Sequence, residues 1–211
     1  MLEIILARHG ETDWNSEKIF RGRADIPLNG TGLRQAELLG EYLSREKIDI
    51  VYSSPLQRAA KTAAAIAAPH DLEVKIVENL NDIDCGDWQG LTVAEVDVKF
   101  PGLYQDWLDT PEQVRLPGGE TLVDVRCRVI PFIEDAVVRC GEGRVVMVSH
   151  RIVCKVVVCA LLGLNDSSIW SFQLDTGGIS RFVYNGNRVV LTAHNDTGHL
   201  EPVGRFSPVD F

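Results

Sequence analysis

Paired cysteine is missing from this chain. Its five cysteines, at positions 85, 127, 140, 154 and 159, include no C-x-x-C. An odd, scattered set points away from a disulfide framework or a thiolate zinc site and fits a reducing, cytoplasmic setting. A surplus of positive charge is missing too. Twenty-one Lys and Arg stand against 30 Asp and Glu, a formal net charge of −9, so no general nucleic-acid or anionic-membrane surface is expected. The most apolar stretch, Val145 to Leu162, carries His150, Arg151 and Lys155, which a membrane span would not tolerate cheaply. The opening Met1-Leu2-Glu3-Ile4-Ile5 is too short and acidic for a secretory leader. There is no Walker A lysine motif. Gly141-Glu142-Gly143 lacks the third glycine of a dinucleotide fingerprint, since Val146 stands in its place.

What is present is a globular composition, 45% hydrophobic and 24% charged over 211 residues, read as one domain over 1–211 with a sizeable core. Val/Ile-rich runs at 2–7, 48–52, 73–77 and 144–149 alternate with helical patterns, the signature of a mostly parallel sheet with crossover helices. This is an α/β fold, a three-layer α/β/α sandwich. Asn29 is expected to cap a helix through Leu43, and Ser54-Pro55 to open the next one. Residues 121–140 and 151–163 read as further helices, and 178–184 with 188–193 as an antiparallel hairpin around Asn185-Gly186-Asn187. The Pro/Gly-rich stretch 101–119 reads as an irregular excursion, and 200–211 as a loose end or a strap over the pocket.

In open parallel sheets ligands bind beyond the carboxyl ends of the strands. Strand 2–7 runs into Arg8-His9-Gly10-Glu11-Thr12, and strand 48–52 into Ser53-Ser54-Pro55 with Arg58 soon after. Strand 73–77 leads to Asn81-Asp82-Ile83-Asp84, and strand 144–149 ends at Ser149-His150. Two arginines, two histidines and a carboxylate are thus brought to one sheet edge. That set suits a phosphate monoester dianion: guanidinium forks match its oxygens, a neutral imidazole can attack once cations neutralise them, and a carboxylic acid can protonate the departing alkoxide.

The residues Arg8-His9-Gly10-Glu11-Thr12 with Asn15, then Arg58, Gly118-Gly119-Glu120-Thr121 and Ser149-His150, resemble in order the histidine phosphatase superfamily, in its phosphoglycerate-mutase-like branch. The segment Leu80 to Gly90 is similar to the family's stretch after its third strand. The resemblance implies that His9 is phosphorylated during turnover and that Arg8, Arg58 and His150 bind the transferring phosphoryl group. Asn15 and the Arg21-Gly22 turn would add contacts, Gly22 through its backbone N–H, and Gly10 would leave room for phosphate at the backbone. No metal and no cofactor are implied. Where the family carries its proton-donating Glu, this chain has Asp82, about 1.5 Å shorter in reach; Asp84, then Glu11, Asp13 and Glu120, are the substitutes.

The expected activity is hydrolysis of a small phosphomonoester, phosphoserine-like or a sugar-acid phosphate. The alternatives are a bisphosphoglycerate-dependent phosphoglycerate mutase and a silent phosphate-binding module. The oligomeric state is left open by the sequence, and analogy favours a homodimer. Arg21 and Arg23 are candidates for reading a substrate carboxylate. Arg151, with Lys155 one turn further along, reads as a charge solvating the start of its helix, contact with substrate being the alternative; His70 reads as solvent-facing, and His194 and His199 as structural or pocket-rim residues rather than metal ligands.

Overall fold

The computed structural model describes residues 1–186 and 188–203. Its strands are β1 (Leu2–Arg8), β2 (Ile50–Ser53), β3 (Val74–Ile76), β4 (Gly143–Ser149), β5 (Ile179–Asn185) and β6 (Arg188–Asp196). The helices are α1 (Asp13–Ser16), α2 (Gly30–Leu43), α3 (Gln57–Ala67), α4 (Val93–Lys99), α5 (Leu103–Asp109), α6 (Leu122–Cys140) and α7 (Arg151–Leu161).

The six strands form one sheet in the order β3-β2-β4-β1-β5-β6. β1 runs parallel to β4 with Arg8 opposite Ser149, and β2 joins the parallel set on the other side of β4. β5 and β6 are the antiparallel hairpin expected from the sequence. The chain leaves β1 in one direction across the sheet and leaves β4 in the other. The crevice between the carboxyl ends of these two neighbours is therefore the topological switch point.

Strand alternation makes the three layers. In β1, Ile4 and Leu6 join a core shared with Val125, Val129 and Ile133 of α6 and Val153 and Val157 of α7. Ile5 and Ala7 face the opposite core, with Leu39 and Leu43 of α2 and Ala59, Ala63 and Ile66 of α3. Each of these larger side chains, withdrawn from water, contributes roughly 1.5–3 kcal/mol. Together they fix the height at which β1 delivers Arg8 and His9.

Helix starts show what local chemistry decided. Asn29 caps α2 as expected, its side chain accepting from the Gly32 N–H at 2.8 Å. Thr121 and Asp124 close a capping box on α6. The helix expected from Ser54-Pro55 begins instead at Gln57, because Ser54 stays in the strand-end turn, its N–H donating to Val148 O at 3.0 Å. The excursion 101–119 contains α5, seven residues long, anchored by buried Trp107. Of the expected tail, residues up to Val203 lie in a 3-10 turn over Gly198–Val203, while 204–211, like Asn187 of the hairpin turn, fall outside the described residues.

Gly10 needs to be glycine for a reason other than room for phosphate. A Cβ there would sit 2.4 Å from Gly32 O, and a Cβ on Gly32 would sit 2.0 Å from Glu11 O. The two glycines let the loop after β1 lie directly against the first turn of α2.

Candidate active site

Arg8, His9, Arg58 and His150 are each no more than 1% exposed, and Asp82 is 7% exposed. The His9 and His150 rings lie 5.1 Å apart, centroid to centroid. β1 places the first pair and β4 the last; the His9 N–H donates to Ser149 O at 3.1 Å, tying the two strand ends together. Arg58 comes from the first turn of α3, and Asp82 from the irregular segment that follows β3.

Hydrogen bonds set the tautomer of His9. Its Nδ1 is 2.6 Å from Gly10 O; a carbonyl only accepts, so Nδ1 carries the proton and the lone pair is on Nε2. His150 uses its Nε2, 2.7 Å from Ser54 Oγ, and its Nδ1 is 3.5 Å from Asp82 Oδ2. The Gly10 N–H donates to Thr62 Oγ at 3.1 Å, and the Gly177 N–H is shared between Arg8 O and His9 O. The loop that follows β1 is held on both sides.

Arg58 is bound by acceptors from two segments. Its Nη1 donates to Ala24 O at 2.7 Å, and its Nη2 to Gly22 O at 2.9 Å and to Asp82 Oδ2 at 3.0 Å. Arg8 Nη1 donates to Leu174 O at 2.7 Å. Asp82 Oδ1 accepts the Ile83 N–H at 2.9 Å, so one carboxylate oxygen faces the backbone and the other faces Arg58 and His150.

Burial, then the charges of Arg58, Arg8 and Arg21, hold His9 well below the ordinary histidine value of 6.5. Burial, then Arg58 and His9, do the same to His150. Both rings are therefore neutral in the folded protein across neutral pH, whereas the unfolded chain takes up protons near 6.5. Stability is full above that value and falls as the pH drops below it, by up to about 1.4 kcal/mol per histidine per pH unit. Urea unfolding between pH 7.5 and 5.0 should show this loss, and millimolar orthophosphate should flatten it, because a bound dianion offsets the arginine charges. A flat curve without phosphate would disprove the neutral-pair assignment.

The arrangement is an anion cradle around a neutral imidazole, and comparison with known proteins agrees. The Histidine phosphatase superfamily (branch 1) matches residues 4–197. The chain belongs to the histidine phosphatase superfamily. It is 40% identical over 200 residues, 95% of each chain, to phosphoserine phosphatase 1 of Hydrogenobacter thermophilus. In structure it is similar to a mycobacterial glucosyl-3-phosphoglycerate phosphatase in complex with VO3, with a TM-score of 0.87 and 28% identity, covering 92% of this chain and 99% of that one. It is also similar to an Entamoeba histolytica phosphoserine phosphatase mutant in complex with phosphoserine, with a TM-score of 0.86 and 31% identity, covering 95% of this chain and all 100% of that one. The reaction class follows: this histidine phosphatase is a phosphoric monoester hydrolase of small phosphorylated metabolites.

Several candidate residues of the histidine phosphatase have occupations the sequence did not disclose. Asn15 Oδ1 accepts from the Thr12 N–H and hydroxyl at 3.0 and 2.8 Å, closing a capping box on α1. Gly22, at φ +50°, turns its carbonyl to Arg58 and so helps to seat the arginine. Arg21 donates to Trp14 O at 3.2 Å, and its charge reaches both histidines. Arg23 is turned instead to Glu120, at 3.1 Å. Asp82 is the carboxylate against Arg58 and His150; among its substitutes, Asp84 caps the turn at Gly86, Glu120 binds arginines and Glu11 accepts from Asn29.

Arg151 and Lys155 do not solvate their helix. Both are buried, with Arg151 5.0 Å and Lys155 4.8 Å from the Trp170 ring centroid, and Lys155 Nζ donates to Ile169 O and Phe172 O. His70 is half-buried, with its Nε2 enclosed. His194 bridges Ser180 and Gln173, and His199 contacts Gly177 O, which makes both structural. Among the described residues no group of three or more His, Cys, Asp or Glu side chains is placed to hold a metal ion, and no helix is long and apolar enough to cross a membrane. Sequence reasoning missed Ser54 and Thr62 as partners of the site. Thr62 had a signal: it lies one helical turn after Arg58, on the same face of α3.

Proposed function

We propose that the protein hydrolyses a small, carboxylate-bearing phosphomonoester of the phosphoserine class in two steps through a phosphohistidine, without a metal or cofactor. The observation that carries this reading is the His9 tautomer, with Nδ1–H locked on Gly10 O and the Nε2 lone pair available beside Arg8, Arg58 and His150. In the first step Nε2 attacks phosphorus, the bond to the leaving oxygen breaks, and protonated Asp82 gives that oxygen its proton. In the second, Asp82 takes a proton from water as water attacks phosphohistidine; the P–N bond breaks and orthophosphate leaves.

The cations needed to neutralise the equatorial oxygens come from Arg8 and Arg58, with Arg21 nearby. The substrate class rests on the relatives: the 40% identical phosphoserine phosphatase and the fold likeness to one holding phosphoserine. Arg21 is the candidate for the substrate's carboxylate. Five free cysteines support a reducing compartment, the cytoplasm, as its setting.

A phosphorus NMR time course in EDTA, with phosphoserine and 3-phosphoglycerate and a trace of bisphosphoglycerate, tests the reading. Orthophosphate should grow from at least phosphoserine. A 2-phosphoglycerate signal without orthophosphate would make the protein a mutase, and no change in either substrate would overturn the assignment.

A further inference from the structure

Asp82 is held from behind as well as from the pocket. Its backbone carbonyl accepts from Arg128 Nη2 at 3.0 Å and from Arg23 Nε at 3.4 Å. Arg128 also spans the start of the same segment: its Nη1 donates to Asn79 O at 2.7 Å, and its own carbonyl accepts from Asn79 Nδ2 at 2.8 Å. Glu120 gathers both arginines, taking Arg128 Nε at 3.0 Å and Arg23 Nη2 at 3.1 Å, and its second oxygen accepts the Asp84 N–H at 2.9 Å. One carboxylate and two guanidinium groups thus hold the segment from Asn79 to Asp84 at both ends and in the middle.

That segment has no sheet or α-helical ladder of its own at Asp82; buried Leu80 and Ile83 seat it on the core, and Arg128 and Arg23 fix its backbone at Asp82. Arg128 is carried on α6, whose buried face of Val125, Val129 and Ile133 is locked into the core. The proton donor is the shorter of the two acidic side chains, and placement errors of about 1 Å suffice to lose on the order of 10²-fold in rate. We infer that Arg128, clasped by Glu120, is a positioning residue that sets the depth of the Asp82 carboxyl in the pocket, a task made necessary by the short side chain at 82. The inference rests on the reading of Asp82 as general acid.

The distinguishing readout is leaving-group dependence. In Arg128→Ala, formation of the phosphoenzyme from phosphoserine should slow by about 10- to 100-fold with KM within about threefold, while its formation from 2,4-dinitrophenyl phosphate, whose leaving group needs no proton, should stay within about threefold. In an Asp82→Glu background, where the longer side chain reaches further, the same substitution should lose less than about threefold on phosphoserine. Glu120→Gln, which keeps the contact to the Asp84 N–H, should show the same pattern more weakly and serves if Arg128→Ala does not fold. Equal losses on both esters, or an undiminished loss with Glu at 82, would overturn the positioning role. Asp82→Asn, measured alongside, separates the failures: leaving-group selectivity in Asp82→Asn but not in Arg128→Ala sinks the clamp alone, and selectivity in neither sinks the acid assignment.

Discussion

His9→Ala is expected to abolish turnover, lowering kcat by at least about 10⁴-fold, the scale of removing a nucleophile from an active site that works as a unit. It should also eliminate the acid-labile phosphoenzyme that a brief pulse of labelled phosphoserine leaves on the intact protein. Binding should survive, because Arg8, Arg58 and His150 still surround the phosphate position; orthophosphate should protect the variant against unfolding. Retention of more than about a hundredth of the activity would mean that water attacks phosphorus directly and that His9 is only part of the cradle.

Asp82→Asn should have the next largest effect, and a selective one. General acid catalysis supplies about 10²- to 10⁴-fold, and the loss on phosphoserine should lie in that range, because an alkoxide without its proton is a poor leaving group. With 2,4-dinitrophenyl phosphate, formation of the phosphoenzyme should slow by less than about tenfold, since that oxygen leaves as a stable anion. The side-chain amide introduced by the substitution keeps an oxygen that can accept the Ile83 N–H, as Asp82 Oδ1 does, so the segment should keep its place. Equal losses on the two substrates would show that the substitution damages binding, and that the proton comes from elsewhere.

Much of this site could be read from the chain because it depends on strand ends. Val/Ile runs determine where β1 and β4 stop, and the next residues, His9 and His150, then fall at one edge of the sheet without further information. Asn29 was legible because caps act within a few residues. Other features depend on distance in sequence. Nothing near Glu120 reveals that its oxygens will meet Arg128, Arg23 and Asp84, and nothing near His150 discloses Ser54 as its partner. The start of α3 at Gln57 is not legible locally, because a tertiary bond from the Ser54 N–H to Val148 O overrides a good cap. Two seven-residue helices, α4 and α5, are too short for periodicity to separate from loop. Arg151 reads as a surface charge, since sequence alone does not show Trp170 arriving to cover it.

The sheet order bears on how the chain is born. Leu2, on the strand that delivers the nucleophile, pairs with Gly143 on one side and Tyr184 on the other. At roughly 5–20 residues per second, the ribosome leaves that apolar strand with both edges bare for on the order of ten seconds before its first neighbour emerges. The nascent segment must be shielded during that interval by its own helices α2 and α3 or by a holding chaperone. The phosphate cradle is assembled only once β4 is seated, so a ligand arrives too late to guide folding and acts instead by slowing escape from the finished state.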